Sequence, residues 1–198
     1  MINETEIKLY LGDADINSFI DMCYEHYPML IKSNSFQRDE YYDTLGMQLQ
    51  SSDFVVRIRL KNNIKMVALK SPRIYLSEFV HKRIELEFQV NDGDDSINKQ
   101  IEEQNLIPIA IIEKRRTTLK GDNFVIEVDE VPFLGNFVEI ESSDVDVVNK
   151  ICSVLCINEL KKVKENYGEL LDIKLVELGL PLRPYLEATF FKEKEYYK

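Results

Sequence analysis

Between Asn3 and Leu11 the chain reads NETEIKLYL, with Glu4, Glu6 and Lys8 at two-residue spacing and Thr5, Ile7, Leu9 and Leu11 between them. Successive side chains of a strand point to opposite faces, so the charges share one face and the mostly apolar residues the other. One such strand is explained by a sheet with one dry and one wet face. The alternation recurs, however. Arg57 and Arg59 pair in FVVRIRL, Glu85 and Glu87 in RIELEFQV, Lys114 and Arg116 in IIEKRRTTLK, Glu127 and Asp129 in FVIEVDEV, and Glu139 and Glu141 in NFVEIES. Lys70 ends MVALK on the face of Met66 and Ala68. A solvated face mixes charge with Ser, Thr, Asn and Gln. Here each pair is purely acidic or purely basic, and like charges at i and i+2, about 7 Å apart, repel unless something bridges them.

The apolar faces of these strands must also be buried, and the helical segments carry apolar stripes that can cover them from outside. The charged faces then point toward one another. A mostly antiparallel sheet of about eight strands closes into a barrel with room for a small ligand. The expected fold is therefore α+β, an eight-stranded antiparallel β-barrel or tunnel with a charged lumen, flanked by helices. The lumen would hold Glu4, Glu6, Glu85, Glu87, Glu127, Asp129, Glu139 and Glu141 together with Lys8, Arg57, Arg59, Lys70, Lys114 and Arg116.

The element pattern supports this layout. Strands are expected at 2–11, 33–43, 53–61, 63–70, 80–90, 108–120, 122–130 and 135–142, with a tight turn at Lys61-Asn62-Asn63. Asp13 is placed to cap a helix to about His26, and a short helix spans 95–105 after the loop NDGDD. Beyond Glu141 the period becomes helical. Ser143 or Asp144 caps a stripe of Val145, Val148, Ile151, Cys152 and Leu155, and further helical turns run over 158–178. Pro181 and Pro184 break the pattern before a polar tail with Lys192, Lys194 and Tyr197. The 198 residues suit one unit, with barrel strands at about 2–142 and C-terminal helices at about 144–178.

Thirty-five acids against 25 bases give a net charge of −10, which argues against nucleic acid or an anionic membrane as the main partner. Cys23, Cys152 and Cys156 lack metal-type spacing. Cys152 and Cys156 are expected on one helix face, and all three as buried thiols of a reducing, cytoplasmic setting. No stretch approaches the roughly 18 apolar residues of a membrane span. An exposed edge or an apolar helix face leaves room for a homodimer.

Carboxylates without His or Cys favour Mg²⁺ or Mn²⁺ over zinc. His26 and His81 fall outside the charged pairs, which points to surface or structural roles. Arg suits phosphate through bidentate forks and Lys as a point charge. With no glycine-rich phosphate loop, side chains must do the holding.

The ordered set Glu4-x-Glu6-x-Lys8, Arg57-x-Arg59, Lys70, Glu85-x-Glu87, Lys114-x-Arg116, Asp129 and Glu139-x-Glu141 resembles the CYTH superfamily, the triphosphate tunnel metalloenzymes. Gln37-x-Asp39 with Tyr42-Asp43, and Asn166-Tyr167-x-Glu169-Leu170, are similar to further family segments. The resemblance spans about 2–170. It departs at Ser71, where Gly often stands, and at Gly168 in the helix motif. It implies a metal held by Glu4, Glu6, Asp129, Glu139 and Glu141, and a triphosphate held by Lys8, Arg57, Arg59, Lys70, Lys114 and Arg116. Glu85 and Glu87 would bind a second metal, or orient water and the bases. Lys161 and Lys164 are candidates for one more basic contact.

The resemblance implies a Mg²⁺- or Mn²⁺-dependent hydrolase of tripolyphosphate, a nucleoside triphosphate such as ATP, or thiamine triphosphate, with Glu4, Glu6, Lys8, Glu85 and Glu87 nearest the chemistry. The alternative is an adenylate cyclase that makes cyclic AMP and pyrophosphate. The segment from Asp129 to Glu141 looks like that branch, and Phe36, Tyr41 and Tyr42 are available to stack on a base. A third reading is a non-catalytic polyphosphate- or nucleotide-binding module.

Overall fold

The computed structural model describes residues 2–91, 95–179 and 186–191, with side chains from Thr5 onward. Its strands are β1 (Ile2–Gly12), β2 (Ile31–Asp43), β3 (Val55–Lys61), β4 (Ile64–Lys70), β5 (Ile74–Tyr75), β6 (His81–Val90), β7 (Ile107–Lys120), β8 (Phe124–Val131), β9 (Gly135–Ser142), β10 (Lys161–Val163) and β11 (Leu186–Ala188). Its helices are α1 (Ile16–His26), α2 (Gln48–Ser51), α3 (Ser96–Glu103), α4 (Val145–Val154) and α5 (Tyr167–Glu177).

The ring closes in the order β1-β9-β8-β7-β2-β3-β4-β6, with β6 returning to β1 through pairs such as Glu6↔His81. All eight ring pairings are antiparallel. The barrel expected from the charge alternation is therefore present. Beyond Glu6, β1 leaves β6 and pairs instead with β10 through Lys8↔Val163 and Tyr10↔Lys161. The β3–β4 hairpin turns on Asn62 and Asn63, both at positive φ (49° and 68°), the backbone that a two-residue turn needs to match strand twist.

The outward faces of β1, β8 and β9 bury Ile7, Leu9, Ile126, Val128, Val138 and Ile140 under α1 and α4, which supply Phe19, Ile20, Cys23, Val148, Ile151 and Cys152. Asp15, not Asp13, caps α1, accepting from the backbone N–H groups of Asn17 and Ser18. Asp144 caps α4. The helices cover only part of the barrel, however. Outward Leu60, Leu69, Ile84 and Leu86 on β3, β4 and β6 remain exposed.

Three expectations at the C-terminal end need correction. Residues 161–163 form an edge strand rather than helix, because the β10 backbone completes the part of β1 that β6 leaves open. Helix α4 ends at Val154, and Cys156 sits beyond it, exposed, at φ 54°, not on a shared buried face with Cys152. Helix α5 does not lie outside the barrel. Its Tyr167, Leu171 and Leu175 pack with Ala110, Ile112, Val131 and Phe137, which share strand faces with Lys114, Asp129 and Glu139. The inward face is thus charged along one half and apolar along the other, and α5 plugs the apolar half. A capping box between Asn166 and Glu169 fixes where that plug begins. Pro181, Pro184 and the tail residues Lys192, Lys194 and Tyr197 lie outside the described residues.

Candidate functional site in the barrel lumen

Above the plug is a cavity of about 210 Å³ walled by Glu6, Lys8, Arg57, Arg59, Lys70, Glu85, Glu87, Lys114, Arg116, Glu127, Glu139 and Glu141. Strand register explains the convergence. Glu6 lies opposite Glu141, Lys8 opposite Glu139, Glu127 opposite Glu139, Arg116 opposite Asp129, and Lys70 opposite Glu85. Directly paired residues share a face, so the closed ring brings charges far apart in sequence within contact.

At the floor, Asp129 is fully buried and three donors converge on it. Arg116 donates from Nε at 2.6 Å and from Nη2, Lys114 Nζ from 3.1 Å and the Tyr167 hydroxyl from 2.7 Å. Burial would raise its carboxyl, but Arg116 and Lys114 hold it below the usual range. A buried carboxylate is tolerable only when paired this fully. Arg116 also binds Glu139 Oε2 at 2.6 Å and contacts Glu127. Lys8 Nζ lies 3.2 Å from Glu139 Oε1 and 4.5 Å from the centre of the Tyr167 ring. On the opposite wall Asp39 forms a bidentate pair with Arg59, 2.6 and 2.7 Å. Against burial, Arg59 and Arg57 keep the Asp39 carboxyl well below its usual range.

Above this floor the pairing loosens. Arg57 reaches Asp39, Glu85 and Glu87 only at 3.7, 3.5 and 3.6 Å, and its buried Nε has no hydrogen-bond partner. Such a guanidinium still has donors to offer to an anion. Lys70 Nζ holds Glu85 at 2.8 Å. Glu85 and Glu87 therefore flank basic side chains. Across the lumen, ligand oxygens of Glu127, Glu139 and Glu141 lie within 4.8 Å of one another, a spacing that one small cation can span. His81 Nε2 lies 3.0 Å from Glu6 Oε1. Burial would raise the Glu6 carboxyl, but His81, with Lys70 and Lys8, brings it down to about 2.

Lys114 is buried beside Asp129 and close to the Arg116 charge. Burial, reinforced by the Arg116 charge, pushes its ammonium down to about 7 against the pull of Asp129. An anion in the lumen favours its protonated form, so binding should take up a proton above pH 7. The ratio of the wild-type Kd for tripolyphosphate to that of Lys114→Arg is expected to climb with pH above about 7, by up to roughly tenfold per unit. Calorimetric titrations from pH 6 to 9 measure it, and the ratio removes the ligand's own ionisation. A flat ratio would remove Lys114 from the set of titrating contacts.

A family profile described as CYTH domain matches residues 3–148. The chain belongs to the CYTH domain family. A curated relative, "Putative adenylate cyclase MJ0240" of Methanocaldococcus jannaschii, is 27% identical over 185 residues, which is 93% of this chain and 97% of the relative. The PH1819 protein of Pyrococcus horikoshii is 24% identical with a TM-score of 0.67, covering 85% of this chain and 97% of its own. "Putative adenylyl cyclase HpAC1" of Hippeastrum, described as revealing a dominant triphosphatase activity, is 16% identical with a TM-score of 0.61 over 91% and 98% of the two chains. At those identities the structural likenesses carry the CYTH fold alone.

Within this CYTH barrel, every described member of the charged set read from the sequence lies on the inward face, although Asp129 is enclosed beneath the cavity. Phe36, named as a ring that could stack on a base, does not: it is exposed on the outer face of β2 against Phe190, because its parity is opposite to that of Gln37 and Asp39. Glu4 lies on β1 opposite Arg83, and its side chain falls outside the described set. Lys161 and Lys164 do not line the lumen. Lys161 is exposed on β10, and Lys164 approaches Glu78 at 3.6 Å and the Phe79 ring. Sequence reasoning missed His81, which shares the inward parity of Glu85 and so carried a readable signal. It also left Glu127 out of the metal set, although alternation had placed it inward. Tyr167 was seen only as part of a helix motif, and nothing local marks its hydroxyl as a partner of Asp129.

Proposed function

We propose that the protein binds a triphosphate-bearing molecule with a divalent cation in the lumen and hydrolyses it. The observation that carries this reading is one cavity holding a carboxylate cluster beside an incompletely paired arginine and several lysines. Glu127, Glu139 and Glu141 have the oxygen donors and spacing suited to Mg²⁺ or Mn²⁺, with Glu6 beside them. Bound there, the cation would offset phosphate charge and polarise a phosphoryl oxygen. Arg57, Lys70 and Lys8 bind phosphate oxygens and fix the chain in line for attack. Arg116 and Arg59, held by Asp129 and Asp39, supply fixed positive potential without having to reorganise. Water attacks the terminal phosphorus, and Lys8 and Lys114 stabilise the charge gathering on the departing diphosphate.

A second reading, cyclisation of ATP, is favoured by the name given to the archaeal relative. In it the ribose 3′ hydroxyl attacks the α-phosphorus and pyrophosphate leaves. Purified protein incubated with tripolyphosphate, ATP or thiamine triphosphate, each with Mg²⁺ or Mn²⁺, separates the readings. Free phosphate supports hydrolysis, cyclic AMP with pyrophosphate supports cyclisation, and tight binding without turnover leaves a binding module.

Arg57→Ala tests the clamp. Removing one incompletely paired guanidinium is expected to raise KM by roughly ten- to a hundredfold, equivalent to about 1.5–3 kcal/mol for a charged hydrogen bond. Unchanged KM and kcat would take Arg57 out of the site.

A further inference from the structure

His81 is buried where three strands meet. At the start of β6 it pairs with Glu6 of β1 on one side and with Tyr75 of β5 on the other. Its backbone is therefore fixed from both edges. The Tyr75 ring lies against the imidazole, with centroids 5.7 Å apart. Nε2 stands 3.0 Å from Glu6 Oε1, and the buried Nδ1 has no hydrogen-bond partner. A carboxylate can only accept, so this contact places a proton on Nε2. The ring is oriented by that one hydrogen bond and by its contact with Tyr75.

Glu6 has few other ways to be held. Its cross-strand neighbour on the far side is Glu141, and the Glu139 charge also repels it. Lys8 and Lys70 attract it, yet Lys8 lies 3.2 Å from Glu139 and Lys70 lies 2.8 Å from Glu85. Among the described residues, His81 alone lies within ion-pair distance of Glu6. Glu6 lines the charged cavity, whereas His81 is not one of its walls. The imidazole thus holds the carboxylate from outside the cavity, by one of its two oxygens.

We propose that His81 is a positioning residue for the cation: its Nε2–H holds the Glu6 carboxylate at the edge of the Glu127, Glu139 and Glu141 cluster, where Glu6 adds a further acidic donor. The inference rests on the divalent-cation reading of the lumen and adds to it a residue that touches neither cation nor phosphate. Without this hydrogen bond, repulsion from Glu139 and Glu141 and attraction to the two lysines would draw Glu6 out of place. Outer hydrogen bonds of this kind orient ligating carboxylates, and their loss typically weakens metal binding or turnover by about 10- to 100-fold. The reach of the side chain matters. Nε2 is the far nitrogen of the ring, and a shorter polar side chain cannot span the gap to Glu6.

His81→Gln and His81→Asn test this as a pair. The glutamine amide can stand at the Nε2 position, whereas the asparagine amide extends only as far as Nδ1. Calorimetry measures the affinity of the substrate-free protein for Mn²⁺ and, separately, for tripolyphosphate without metal. His81→Asn is expected to bind Mn²⁺ at least about tenfold more weakly than the wild type, and His81→Gln to stay within about threefold of it. Metal-free tripolyphosphate affinity should be unchanged in both variants. Equal losses of Mn²⁺ affinity in the two variants would reduce His81 to a packing residue. Unchanged Mn²⁺ affinity in His81→Asn would mean that Glu6 needs no such support. A parallel fall in Mn²⁺ and tripolyphosphate affinity would mean that the barrel wall itself had been disturbed. Each of these results overturns the proposal. If the wild type binds no Mn²⁺, it is the cation reading itself that fails.

Discussion

Asp129→Asn is expected to destabilise the folded protein by about 3–5 kcal/mol, the usual cost of removing one partner from a buried charge cluster. Asp129 is wholly enclosed and accepts from Arg116, Lys114 and Tyr167 together. An amide in its place cannot neutralise either base, and its NH₂ must face a donor. Arg116 keeps Glu139 and Glu127, whereas Lys114 is left 3% exposed without the carboxylate that sustains its charge. Urea denaturation followed by circular dichroism measures the effect as a lower midpoint at unchanged slope. The sequence resemblance assigned Asp129 to the metal. If so, the same substitution would instead raise the metal requirement and leave the denaturation midpoint in place. The experiment decides between a counter-charge beneath the site and a ligand within it.

The second large effect is expected on turnover. Glu139→Gln and Glu141→Gln should each lower kcat by on the order of a hundredfold or more and shift the metal dependence to higher concentration, because each removes one anionic donor from the three-carboxylate cluster. A glutamine at 139 can accept from either Lys8 or Arg116 through its one amide oxygen, and Arg116 keeps Asp129 and Glu127, so far-UV circular dichroism should be unchanged. Glu130→Gln is the control. Its carboxylate faces outward to Arg115 at 3.0 Å, and the substitution should be silent. Full activity in both cluster variants would contradict the metal assignment.

These two predictions concern residues whose direction was readable before any coordinates, while their partners were not. The parity of Glu127, Asp129, Glu139 and Glu141 follows from the two-residue period of a strand. It is local, and the structure bears it out strand by strand. The Asn62-Asn63 turn and the Asp144 cap were legible for the same reason, since each depends on a few neighbouring residues. The starts of α1 and α5 rest on equally local caps, Asp15 and the Asn166–Glu169 box, and were open to the same reading. The edge strand at 161–163 was not, because it depends on what the rest of the barrel leaves uncovered.

Strand alternation was enough to tell which side chains face inward and that a closed, charged interior would accommodate them. How those charges divide was settled when the ring closed. Asp129 became a buried counter-ion, Glu127 joined Glu139 and Glu141, His81 met Glu6, and α5 filled half the interior. The physical reason is range. Facing is set by backbone geometry between adjacent residues, whereas partnership is set by register between strands that meet only once the ring has closed.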